Sequence, residues 1–163
     1  MAVDELAREA GGSAWESRCR SHVIAVSIAG EPAVLAKPLT FMNASGGAVR
    51  LLLEEYGVDP KGMIVLLDDL NLPFGRIRIR ARGSPGGHRG LESIARALES
   101  DEITRVRLGI GEEFMPADKA AFVLSDFPRD RRTELVEMIG RAAQAVRMMI
   151  GDGVTRAMSV FNA

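Results

Sequence analysis

Residues 63–91 read MIVLLDDLNLPFGRIRIRARGSPGGHRGL, and the layering of the molecule follows from how this stretch is parsed. Met63 to Leu67 is a short, wholly apolar run, the pattern of a strand buried on both faces. From Arg76 to Arg82 the pattern alternates: Arg76, Arg78, Arg80 and Arg82 share one face, and Ile77, Ile79 and Ala81 share the other. A strand with one dry face and one wet, basic face is the consequence. Gly83 to Gly90 holds four glycines and Pro85, which makes a loop. Leu91 to Leu98 then reads as a helix.

Working outward, Ala2 to Ala10 reads as an amphipathic helix with Val3, Leu6, Ala7 and Ala10 on one face, stopped by Gly11 and Gly12. His22–Ile28 and Ala33–Lys37 are β-branched-rich runs split by Ala29-Gly30-Glu31-Pro32, a hairpin pattern. Ser45 to Tyr56 predicts a helix capped by Ser45 or Asn43 and closed at Gly57. Arg105–Ile110 predicts a further strand. Ala117–Val123, Asp130–Ile150 and Val154–Phe161 predict helices. Strands alternating with helices give an α/β protein, expected as one domain over residues 1–163 with three α/β/α layers and a mixed twisted sheet.

The net charge of −1 conceals an asymmetry. Between Arg76 and Arg107 eight arginines face four acids, so that segment carries +4 and the remainder −5. Such a segment suits a polyanion, or is simply a solvated arginine-rich face. The single cysteine, Cys19, excludes an intramolecular disulfide and a metal site built on thiolates, as suits a reducing cytosol. No run reaches the roughly 18 apolar residues of a membrane span, and the N-terminus lacks signal-peptide features. A cytoplasmic protein without membrane contact is expected.

Three places combine turn chemistry with polar side chains. In Lys37-Pro38-Leu39-Thr40-Phe41-Met42-Asn43, Asn43 stands where a strand enters a helix and could hold a carbonyl or a water, or serve as an N-cap. Asp68 follows an apolar strand, where open α/β sheets bind ligands; it could orient a histidine or water, or close a turn on its own backbone. His88 sits in the glycine loop, as a ligand contact or a structural histidine. The loop fits neither a Walker A nor a dinucleotide fingerprint.

Taken together, four segments in this order resemble the bacterial peptidyl-tRNA hydrolase family. They are residues 37–46 (KPLTFMNASG), 68–75 (DDLNLPFG), 86–91 (GGHRGL) and 107–111 (RLGIG), and the likeness extends over essentially the whole chain. The resemblance implies hydrolysis of the ester between a peptide and the tRNA 3′ ribose, recycling tRNA from prematurely released chains, by a monomer needing no metal or cofactor. It implies that Asp68 orients a general-base histidine, that Asn43 binds substrate and positions the water, and that Phe41 contacts the tRNA end. His88, and Arg89 beside it, would line the peptide cleft, while Arg80 and Arg107 would hold a tRNA phosphate, with Arg78 and Arg82 on the same face.

Departures from the family pattern carry their own expectations. Arg89 stands where the family has asparagine, and Leu67 and Asp69 replace a histidine and a glutamate. The family's opening strand, ending Gly-Leu-Gly-Asn-Pro-Gly, and its Thr-Arg-His-Asn motif with the catalytic histidine have no counterpart in residues 1–163. The expectation is a chain truncated relative to the family, with a gap in its sheet, lowered stability and no activity of its own. His22 and His88 are the two histidines that could stand in for the base. The alternative reading is a non-catalytic RNA-binding module of the same fold.

Overall fold

The computed structural model describes residues 1–162. Helix α1 (Ala2–Glu9) leads into three antiparallel strands, β1 (Glu16–Arg18), β2 (Ser21–Ile28) and β3 (Glu31–Pro38). The β2–β3 hairpin turns on Ala29 and Gly30, both at positive φ (52° and 84°), the geometry that matches strand twist in a two-residue turn. A 3-10 turn at Met42–Ala44 precedes α2 (Ser45–Tyr56), which ends on Gly57 in the left-handed conformation. Neither Ser45 nor Asn43 caps that helix. The N-cap is Ala44, without a side-chain bond, because the 3-10 turn already supplies the helix's first contacts.

The second sheet is β4 (Ile64–Pro73), β6 (Thr104–Gly111) and β5 (Ile77–Arg80), in the order β4-β6-β5. β4 runs parallel to β6 and β5 antiparallel to it. α3 (Arg89–Leu98) lies between β5 and β6 in the chain. The chain closes with a short α4 (Lys119–Val123), the long α5 (Arg132–Gly151) and α6 (Val154–Phe161).

Alternation sorts the second sheet into two faces. Ile64, Leu66, Ile77, Ile79, Val106 and Leu108 join a core with α1, α5 and α6 and with Ile24, Ile28 and Leu35 of the hairpin. Met63 and Val65 join a smaller core with Val49 of α2, Leu91 and Ile94 of α3, and Ile103. Helices therefore cover both faces, and the architecture is the expected three-layer α/β/α. The strands, however, form two separate three-stranded sheets rather than one. Among the described residues no strand pairs with the edge of β4 away from β6, and Ile64, Val65 and Leu66 are half-buried instead of buried.

β4 is also longer than the apolar run 63–67 suggested. Regular pairing persists to Asp69, opposite Gly109, and resumes after a register shift with Pro73 opposite Gly111. Two glycines make this possible. A Cβ on Gly109 would lie 2.0 Å from the Pro73 carbonyl oxygen, and one on Gly111 2.4 Å from that of Leu70. Asp68 thus lies inside β4, not beyond its end.

Candidate nucleic-acid interface and active site

Register places four arginines together. On the antiparallel β5–β6 pair Arg78 stands opposite Arg107, and Arg80 opposite Arg105. Residues opposite one another point to the same face, so these four cations share the side of the sheet that carries α2 and α3. There a cleft of about 300 Å³ opens between Arg80, Arg82, Arg105 and Arg107, the Gly83–Gly86 turn, and the apolar Leu67 and Leu91. Among the described residues no carboxylate lines it. Like charges converging on a cleft whose lining holds no acid, with Asp69 buried behind Arg107, make a site for a doubly charged or multiply charged anion.

Two of these arginines have duties within the fold. The Arg107 Nε donates to Asp69, whose side chain is 6% exposed and also accepts from the Asn71 backbone N–H at 2.8 Å. That ion pair leaves the two Nη groups of Arg107 for the cleft. Arg105 is buried and gives its two Nη groups to backbone carbonyls: Nη1 to Ile103 at 2.8 Å, and Nη2 to Gly83 at 2.6 Å and Ser84 at 3.0 Å; its buried Nε has no partner among the described residues. Burial pushes its guanidinium below its ordinary pKa, and repulsion from Arg107 and Arg80 adds to the effect. Arg80 and Arg82 are exposed.

His88 is the N-cap of α3: its Nδ1 accepts from the Leu91 backbone N–H at 3.2 Å. That contact places the ring proton on Nε2 and commits Nδ1, so the ring offers a donor, not a base, to a ligand. Arg89 is exposed at the first position of the helix. The turn carrying Phe41 and Asn43 packs beside His88. A Cβ on Gly90 would lie 2.2 Å from the Met42 sulfur and 3.1 Å from the His88 ring. Glycine at position 90 is what lets the two segments meet. Phe41 is 87% exposed and Asn43 is exposed, both free to meet a ligand.

Asp68 stands apart from this group. Its neighbours in β4, Leu67 and Asp69, point to the arginine face, so Asp68 points to the other. Among the described residues neither histidine hydrogen-bonds to it. His22 belongs to β2 of the other sheet, opposite Lys37, and His88 is held at α3. The residues not anticipated from sequence are Asp69 and Arg105. From sequence Asp69 reads only as a departure from the family pattern, and Arg105 only as one arginine of a basic stretch. A buried charged side chain and an exposed one look alike in sequence until strand register is known.

The descriptions of similar proteins agree with one another. A family model described as "Peptidyl-tRNA hydrolase" matches residues 1–163. A relative named peptidyl-tRNA hydrolase from Koribacter versatilis is 41% identical over 163 residues, covering 99% of this chain and 81% of that protein. One of the same name from Aquifex aeolicus is 39% identical over 162 residues, covering 99% and 84%. The crystal structure of peptidyl-tRNA hydrolase from Acinetobacter baumannii superposes with a TM-score of 0.89 at 27% identity, over 99% of this chain and 83% of that one. Shares of this size lend no support to the expectation of a truncated chain.

Proposed function

This chain belongs to the peptidyl-tRNA hydrolase family, and we propose that it binds peptidyl-tRNA and acts on the ester joining peptide to the terminal ribose. The observation that carries this reading is the carboxylate-free arginine cleft beside the glycine loop and the Phe41–Asn43 turn. Arg80 and Arg107 hold a backbone phosphate, Arg107 with its Nη groups pre-aimed by Asp69. Paired donors and a permanent charge suit that task. Phe41 offers its exposed ring to the tRNA end. His88 presents Nε2–H, and Arg89 its guanidinium, to the peptide.

In the reaction, water adds to the ester carbonyl, the bond from that carbon to the ribose oxygen breaks, and the ribose hydroxyl leaves with a proton. Asn43, free of any capping duty, holds the substrate carbonyl or the water. Asp68 would orient a general base, yet neither histidine of these residues reaches it. Residues 1–163 by themselves therefore supply binding, positioning and the orienting acid, and hydrolyse slowly. That geometry is also what favours the second reading, an RNA-binding module of the same fold. No metal or cofactor enters this scheme, and we place the protein in the cytoplasm as a monomer.

The phosphate contacts are tested by measuring tRNA affinity across a series of salt concentrations. Arg80→Met and Arg107→Met should each lower the slope of log affinity against log salt by about 0.9. Slopes identical to the parent in both variants would remove the cleft from tRNA binding.

A further inference from the structure

We propose that Arg105 is a positioning residue: it binds no phosphate itself but ties the glycine loop to the sheet, and so sets where His88 and Arg89 meet the peptide. The inference rests on the peptidyl-tRNA reading above. Arg105 lines the same cleft as Arg80, Arg82 and Arg107, so a count of charges would enrol all four as phosphate ligands. Their surroundings separate them. Arg105 is 4% exposed, and its Nη groups are turned onto the carbonyls of Ile103, Gly83 and Ser84.

A buried cation that forms no ion pair among the described residues, with only the Asp101 charge acting on it from farther off, is costly unless its donors find acceptors. Here three carbonyl oxygens hold the two Nη groups, while the buried Nε has no partner among the described residues; a planar fork meets three converging carbonyls better than an ammonium does. The loop needs such an anchor. Gly83, Gly86 and Gly87 all have positive φ (123°, 62° and 81°), a freedom that costs order unless something fixes it. The loop's own backbone bonds are few: Gly83 N–H to Asp101 and His88 N–H to Pro85, each 3.2 Å. Because a trans peptide points N–H and C=O in opposite directions, holding the Gly83 carbonyl inward also turns the Ser84 N–H away from Arg105. The segment then runs without a break into the His88 cap of α3.

The test uses uncharged tRNA and a peptidyl-tRNA analogue with an amide in place of the ester, so that binding is read without turnover. Arg105→Met should keep the parent's salt slope, since no phosphate contact is lost. It should cut the preference for the peptidyl analogue over uncharged tRNA about tenfold, the equivalent of one net hydrogen bond or slightly more. Arg105→Lys should keep the slope too and recover part of the preference. Hydrogen exchange at the Leu91 amide should quicken in both, more in the methionine variant, with β2 and α5 amides unchanged. A slope lowered by about one in Arg105→Met with the preference intact would make Arg105 a phosphate ligand and overturn the proposal. If Arg105→Met fails to fold, Arg105→Lys decides: preference and Leu91 exchange both at parental values overturn it. Unchanged slopes in the Arg80 and Arg107 variants would instead sink the tRNA reading, and the Leu91 exchange would still judge the anchor.

Discussion

Asp69 and Asp68 are chain neighbours with opposite fates, and the difference comes from the two-residue period of a strand. Asp69 turns inward to Arg107 and Asn71, whereas Asp68 faces the other side with no side-chain partner among the described residues. Asp69→Asn should cost about 1–3 kcal/mol in urea unfolding, because it leaves a part-buried guanidinium with a neutral partner. A loss below about 0.5 kcal/mol would mean that solvent screens the pair fully. Ala29 gives a prediction of opposite sign. It holds φ 52° at the hairpin turn, where an L side chain crowds its own carbonyl. Ala29→Gly should stabilise the protein by about 1 kcal/mol in the same assay, through relief of that crowding. His88 shows how far a single residue can be read. Its place in a glycine loop was visible, but its capping bond was not, since histidine lies outside the usual N-cap set.

Elements were legible where local chemistry decides them. The β2–β3 hairpin, the end of α2 at Gly57 and the span of α6 follow from turn glycines and apolar spacing. Elements set by distant contacts were not. β4 extends to Pro73 because Gly109 and Gly111 let its tail lie against β6, which no window around residue 70 reveals. The start of α2 likewise belongs to tertiary packing. The Gly46 N–H donates to the Ser93 hydroxyl at 3.0 Å, and a Cβ at position 46 would lie 2.1 Å from the Ser93 carbonyl oxygen. Gly46→Ala should therefore force α2 and α3 apart and cost about 1–3 kcal/mol despite alanine's better helix propensity. A thermal midpoint equal to or above that of the parent would contradict so close a crossing.

At the scale of the molecule, the charge asymmetry in residues 76–107 becomes a place. β5 and β6 bring arginines distant in sequence into one cleft, with the glycine loop at its rim and the Phe41–Asn43 turn beside His88. The roles of Asn43, Asp68 and Arg89 came from family resemblance, since nothing in their local sequence distinguishes a ligand contact from a turn residue. Among the described residues the single mixed sheet expected from alternating strands and helices is two sheets, with β4 unpaired on one edge, and strand count alone could not show where a sheet divides. The account's central claim is that these residues bind peptidyl-tRNA productively but hold no histidine at Asp68. Peptide release from peptidyl-tRNA by residues 1–163, with and without added imidazole, tests it most directly. Release should be near background alone, rise with imidazole, and fall back in Asp68→Asn and in Arg80→Met. Brisk release without imidazole, abolished by His88→Ala, would place the base in the glycine loop and contradict the account.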